Sequence, residues 1–235
     1  MSDLTNLIDD LVAANRILAN EGVVDAYGHI SVRHPDDPSR YLLSVSRSPE
    51  LVEASDIIEF HLDSCPVKDD GRPKYIERPI HGSIYELRPD INSVVHNHAY
   101  DVLPFSITNV PFQPVIHPAR GMRGTAAVWD IEDKFGGNTD LLVTNNDQGR
   151  DLAKKMGSSN VVLMRGHGCA VAASSIHEAV RTAIYTMINA RILKEALLIG
   201  NGQIKPLQPG ELSSGAVAPN GHNRAWEYLK SRADL

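Results

Sequence analysis

The 235-residue chain contains no apolar run longer than a few residues, far short of the ~20 that a membrane-spanning helix requires. No membrane partner is therefore expected. The acidic opening MSDLTNLIDD lacks the basic segment and apolar stretch of a secretory signal, so a cytoplasmic location is expected. Cysteine is scarce. The two present, Cys65 and Cys169, are too far apart for a metal-binding CxxC and too few for a disulfide framework in so long a chain, so both read as reduced thiols. A basic excess is also missing. Lys and Arg number 23 against 29 Asp and Glu, a net charge of −6, and the cations are scattered, which argues against nucleic acid as a partner. No internal repeat or low-complexity tract is present.

With 42% apolar and 22% charged residues, the composition is that of an ordinary globular protein. The length predicts one large domain over residues 1–235 in preference to two small ones, with an irregular Gly/Pro-rich tail from about residue 201. Leu4, Leu7, Ile8, Leu11, Val12 and Leu18 recur at helical spacing and are closed by Glu21-Gly22. Between residues 28 and 62, the runs GHISVR, RYLLSV and DIIEFHL alternate with turns, a hairpin-rich pattern. Asp63 to Lys74 reads as a surface loop. Pro79 opens a helix over Ile80, Ile84 and Leu87 that ends at Arg88, which sets Glu77 just ahead of a helix N-terminus. INSVVHNHAY is β-branched like a strand, and VVLMRGHGCAVAA reads as two strands around a glycine-flanked turn. A long helix starts at Ser174 or Ser175, where Ser175 and Glu178 are spaced as a capping box, and runs to Gly200. Trp226 and Tyr228 imply that the last residues dock. Strands and helices mixed in this way predict an α/β fold, a three-layer α/β/α arrangement around a largely antiparallel sheet.

What the chain has in abundance is histidine, ten residues in all. In His96-Asn97-His98 the two imidazoles fall at i and i+2 of a predicted strand and share a face, so both reach one ion, unless each is a half-buried side chain bonded to its own partner. His167 lies between Gly166 and Gly168, whose conformational freedom aims a turn residue inward, the alternative being a solvated turn histidine. Three imidazoles and an open position describe a catalytic divalent site of zinc type, and an added carboxylate also suits manganese or iron. A cupin site would place a glutamate shortly after the second histidine, and AYDVLPFS has none.

The series GHISVR, YIERPIHGSIY, RPDINSVVHNHAY and VVLMRGHGCAVA, followed by a long helix, resembles the class II aldolase/adducin family in order and spacing from about residue 5 to 200. The resemblance places the family's metal ligands on His96, His98 and His167 and its acid/base glutamate on Glu77, as proton donor, fourth ligand or both. It implies one divalent ion per subunit, Zn2+ or Mn2+ ahead of Fe2+ or Co2+, and no organic cofactor. It also implies a homotetramer with active sites near subunit boundaries.

Departures from the sugar-phosphate aldolases of the family narrow the expectation. His29 stands in Gly28-His29-Ile30-Ser31 where those enzymes carry asparagine, and their hydroxyl-rich phosphate loops are replaced by LSVSRSP and PKYIE. Arg47 and Arg78 instead offer forks suited to carboxylates. GHISVRHP with LLSVSRSPE, ERPIH and PFSIT is similar to the family's decarboxylase branch. The implied function is that of a carbon–carbon lyase, a metal-dependent decarboxylase of a hydroxylated aromatic or pyridine carboxylate such as a dihydroxyphthalate. A class II aldolase or epimerase acting on a sugar or sugar phosphate is the alternative, and the partner is a small-molecule carboxylate. Candidate substrate-binding residues are His29, Arg47, Arg78, His117 and Tyr228.

Overall fold

The computed structural model describes residues 3–213 and 221–235. In chain order the elements begin with α1 (Asp3–Asn20), β1 (His29–Arg33), β2 (Arg40–Ser44), β3 (Ile57–His61), α2 (Pro79–Leu87), β4 (Ser93–Asn97) and the single-turn α3 (Leu103–Ser106). They continue with β5 (Ala127–Trp129), the short α4 (Glu132–Phe135), α5 (Asn146–Met156), β6 (Val161–Met164), β7 (Gly168–Ala173), α6 (Ile176–Ile199), α7 (Pro209–Ser213) and α8 (Gly221–Arg232).

The seven strands form one sheet in the order β3-β2-β1-β4-β7-β6-β5, antiparallel throughout except for the parallel pair β5–β6. Side chains alternate between its faces with the two-residue period of a strand. Ile30, Val32, Val95, Val171 and Ala173 point into one core, with Leu11, Ile17, Val180 and Ala183 from α1 and α6. Val94, Ala170, Ala172, Leu43 and Tyr41 point into the other, with Ile80, Ile84 and Leu152 from α2 and α5. This is the expected α/β/α sandwich. The even positions of β4 and the odd positions of β1 belong to the α2 face, which decides where His96, His29 and Ser31 look.

The long helix and both hairpin regions fall where the sequence predicts them. Three features do not. The segment 146–156 is helical although its polar composition hides it, because its buried residues, Gly149, Leu152, Ala153 and Met156, are few and include a glycine. The capping box at α6 is half formed. The Ser175 hydroxyl accepts from the Glu178 amide, while the Glu178 carboxylate accepts from Ser174 instead of returning to the cap. The tail is also more regular than expected, since α7 and α8 lie in it; the rest of that expectation, over residues 214–220, lies outside the described residues. Trp226 docks as expected. It is buried in the α1–α6 core with its ring stacked on His177 at 4.2 Å. Cys65 and Cys169 are free thiols, and among the described residues no helix is long and apolar enough to cross a membrane.

Since the Ser175 hydroxyl satisfies one of the four orphan amides at the start of α6, Ser175→Ala should cost about 1 kcal/mol. A shift of the urea midpoint at unchanged slope would show it, and an unmoved midpoint would mean the cap contributes nothing.

Candidate metal centre

Glu77, His96, His98 and His167 each offer a ligating atom, and these atoms all lie within 4.8 Å of one another. Three separate segments bring them there. His96 is on β4, facing α2, and His98 follows one residue past the strand end on the same side. His167 occupies the turn between β6 and β7, next to Gly166 at φ +63°. Gly168 must lack a side chain, because a Cβ there would sit 2.2 Å from the Asn97 carbonyl oxygen and 3.1 Å from His98 Cδ2. Glu77 lies in the turn that opens α2, where its carbonyl accepts from the Ile80 amide.

The hydrogen bonds behind the cluster fix which nitrogen carries each proton. His96 Nδ1 donates to the Cys169 carbonyl at 3.2 Å, His167 Nδ1 to the Leu141 carbonyl at 2.8 Å, and His98 Nδ1 to the Asp25 carboxylate at 3.1 Å. Carbonyls and carboxylates only accept, so in the neutral rings every Nε2 carries a lone pair. These lone pairs converge. His98 Nε2 and His167 Nε2 are 3.2 Å apart, and Glu77 Oε2 is 3.2 Å from His96 Nε2 and 3.3 Å from His167 Nε2. His96 Nε2 is buried without a hydrogen-bond partner. Four electron-pair donors facing one another in a buried place repel unless a cation stands between them. A tetrahedral ion with bonds of ~2.0–2.1 Å would space its ligands about 3.4 Å apart, close to these separations. The residues therefore fit a divalent ion.

Burial opposes the Glu77 charge; protons on the flanking His96 and His167 rings would outweigh it and hold the carboxyl well below the usual carboxylate range, and with those rings neutral a bound cation would act in the same sense. Its second oxygen accepts from the Val143 amide at 3.0 Å. Both Val143 and Leu141 belong to the loop before α5, and Leu141 sits at φ +66°, a costly conformation for a branched side chain. That loop thus anchors two members of the cluster at once.

The cluster opens on a cavity of about 640 Å³ lined by Tyr27, His29, Lys74, Tyr75, Glu77 and His98 among others, a size suited to a small organic ligand. His29 stands opposite His96 in the β1–β4 register and is nearly fully buried. The remaining sequence candidates go elsewhere. Arg47 binds the buried Asp56 at 2.8 Å, with Glu53 at 3.8 Å, so its charge is already answered. Arg78 spends its guanidinium on the Ser64 and Tyr75 carbonyls, at 2.8 and 2.9 Å, bracing the turn behind Glu77. His117 begins a single 3-10 segment, His117–Met122, packed on α6, across the sheet from Glu77. Tyr228 is 60% exposed on α8 and lies under Arg232, on that same far side. Sequence reasoning missed Lys74, Tyr27, Tyr75 and Asp25. The expectation that a metal-bound histidine needs a carboxylate behind it would have directed attention to Asp25.

Comparison with known proteins agrees with this geometry. The pattern described as Class II Aldolase and Adducin N-terminal domain matches residues 9–193. Decarboxylase tropJ of Talaromyces stipitatus is 38% identical over 193 residues, 77% of this chain and 73% of the relative. The 3,4-dihydroxyphthalate decarboxylase of Arthrobacter keyseri is 30% identical over 215 residues, 86% and 83% of the two chains. An aldolase II superfamily structure from Pseudomonas syringae superposes with a TM-score of 0.79 at 20% identity, covering 97% of this chain and 92% of the other.

Purified protein should carry about one divalent ion per chain, and His96→Ala, His98→Ala and His167→Ala should each lose it. Elemental analysis is the measurement, and full metal content in any variant removes that residue from the site. Gly168→Ala should also lower the content by displacing His98, although it touches no ligating atom.

Proposed function

The chain belongs to the class II aldolase/adducin family, and from that premise we propose that it is a metal-dependent decarboxylase of a hydroxylated aromatic or heteroaromatic carboxylate. Its decarboxylase relatives and the family's aldolases both mark it as a lyase. The observation that carries the finer reading is the match to named decarboxylases over most of both chains. Lys74 also lines the cavity, with its ammonium paired to Asp69 and Asp70 on the preceding loop.

Decarboxylation leaves an electron pair on the ring carbon, and a bound divalent ion supplies Lewis acidity that stabilises such charge. The four ligating groups suit zinc or manganese. Glu77 is ionised at the outset, so it begins as a base. It takes the proton of a ring hydroxyl at Oε2, the carbon–carboxylate bond breaks with release of CO2, and Glu77 returns the proton to the ring carbon. One proton from solvent then restores the hydroxyl, so the net reaction consumes one proton per CO2. His29 holds the carboxylated ring. This order of events accommodates a glutamate that its surroundings keep ionised, which a simple acid role does not.

The aldolase-like relatives also motivate a homotetrameric assembly with sites near subunit boundaries. Within one chain Tyr228 has no route to the cavity, so its proposed role is at a neighbour's site.

The deciding experiment incubates the metal-loaded protein with dihydroxyphthalates, hydroxypyridine dicarboxylates and hydroxyaldehyde phosphates, following CO2 and aldehyde separately. CO2 from a hydroxylated aromatic acid is expected, and aldehyde release alone would refute the proposal. Glu77→Gln should lower turnover by roughly 10² to 10⁴ with little change in affinity. Loss of the ion in this variant assigns Glu77 to ligation, retention of the ion with lost turnover assigns it to proton transfer, and near-native turnover removes it from the mechanism.

A further inference from the structure

Behind His29 a line of buried polar side chains runs from the cavity into the core between the sheet and α2. His29 Nδ1 lies 2.6 Å from His81 Nε2, His81 Nδ1 lies 2.6 Å from the Ser31 hydroxyl, and that hydroxyl lies 2.8 Å from the Tyr85 phenol. All four residues are at most 2% exposed. The fold requires the alignment. His29 and Ser31 are two apart on β1 and share the α2 face, while His81 and Tyr85 are four apart on α2 and share the face toward the sheet. The Arg33 guanidinium clamps the far end, donating to the Tyr85 carbonyl at 2.9 Å and lying 4.8 Å over the phenol ring.

We propose that this relay locks His29 in the tautomer with its proton on Nε2, so that it presents a fixed hydrogen-bond donor to the cavity, with Ser31, His81 and Tyr85 as positioning residues. Each link has one proton, and the links form a consistent chain only if all point the same way. A buried phenol O–H needs an acceptor. Among the described residues the Ser31 hydroxyl is the hydrogen-bond partner of the Tyr85 oxygen, so the acceptor for the Tyr85 proton is Ser31. The Ser31 proton then passes to His81 Nδ1, His81 is protonated at Nε2, and this N–H donates to His29 Nδ1. His29 Nδ1 is thereby an acceptor, and its proton is on Nε2. The reverse direction would leave the buried Tyr85 O–H without a hydrogen-bond acceptor among the described residues. Both rings are neutral in this arrangement. Burial, with the nearby His96 imidazole, lowers His81 to about 3, and burial with His81 and His96 brings His29 well below the ordinary histidine range.

The relay also states what His29 does not do. To give its Nε2 proton away, it would have to draw one through the chain from Tyr85, leaving a phenolate in the core, and burial drives that phenol's acidity sharply the wrong way. His29 is therefore a reader of an oxygen acceptor and not a proton source. On the decarboxylase reading, that acceptor is a carboxylate or phenolate oxygen of the substrate.

Long-range 15N–1H spectra of histidine-labelled, zinc-loaded protein report the tautomer directly, with the His29 signals identified by their loss in His29→Phe. Bare Nδ1 and protonated Nε2 are expected at His29, and protonated Nδ1 overturns the proposal. Ser31→Ala cuts the relay and should give His29 a mixture of tautomers, whereas His81→Gln, whose amide can still accept from Ser31 and donate to His29, should restore the wild-type form. An unmixed wild-type tautomer in Ser31→Ala overturns the relay as its cause. Phthalate serves as the ligand probe, and His29→Phe should weaken its binding roughly 10- to 100-fold. Undiminished binding overturns the reading role. Failure of wild-type protein to bind phthalate would count against the proposed substrate class, while the tautomer, read without any ligand, is judged separately.

Discussion

Four electron-pair donors meet in a place from which water is largely excluded, and the structure around them is organised by that convergence. Each imidazole has its proton pulled outward by an acceptor, the Cys169 carbonyl, the Leu141 carbonyl or the Asp25 carboxylate. The lone pairs are left pointing inward. An arrangement of this kind is unfavourable for a bare protein and favourable for one that holds a cation, so it is explained by binding and not by stability. The supporting features follow from it. Gly168 gives up a side chain to admit the Asn97 backbone, and Leu141 accepts a left-handed conformation to aim its carbonyl at His167.

The sheet then separates chemistry from packing. One face, under α1 and α6, is mainly hydrocarbon, interrupted by buried polar side chains such as Asn15, Asn97 and Asn189. The other carries hydrocarbon along most of its length but ends in polar side chains where β1, β4 and the β6–β7 turn come together. Strand parity alone assigns His29, Ser31 and His96 to that end. It equally removes His117 and Tyr228 from it within a single chain, since their segments pack on the hydrocarbon side.

This separation explains what the sequence made legible. The paired imidazoles of His96 and His98 follow from a two-residue period, and His167 follows from its flanking glycines, so local rules were enough to pick out the three histidines that converge in the candidate metal centre. Glu77 needed the family resemblance, because nothing local distinguishes a glutamate before a helix from a solvated one. The arginines illustrate a complementary limit. Arg47 and Arg78 have the right chemistry for carboxylates, but whether a guanidinium is free depends on acceptors that only the folded chain brings near, here Asp56 and two backbone carbonyls. Asp25 and the loop before α5 touch the site only through tertiary contacts, and the polar surface of α5 conceals a helix that packs beside α2.

Taken together, the polarity of the cavity restricts how a ligand can lie in it. Glu77 is an ionised acceptor, and His29, with its proton fixed on Nε2, is a donor. A ring bearing a hydroxyl beside a carboxylate has complementary groups for both, with its hydroxyl proton toward Glu77 and its carboxylate oxygens toward His29. A ring turned the other way would face its carboxylate against a glutamate and its hydroxyl proton against an N–H, two repulsive contacts. A donor that could exchange tautomers would accept either orientation. The buried relay from Tyr85 to His29 therefore confers discrimination: through two 2.6 Å links it fixes the His29 proton on Nε2, at the cavity, so that a ligand bearing both an acceptor and a donor is presented in one sense.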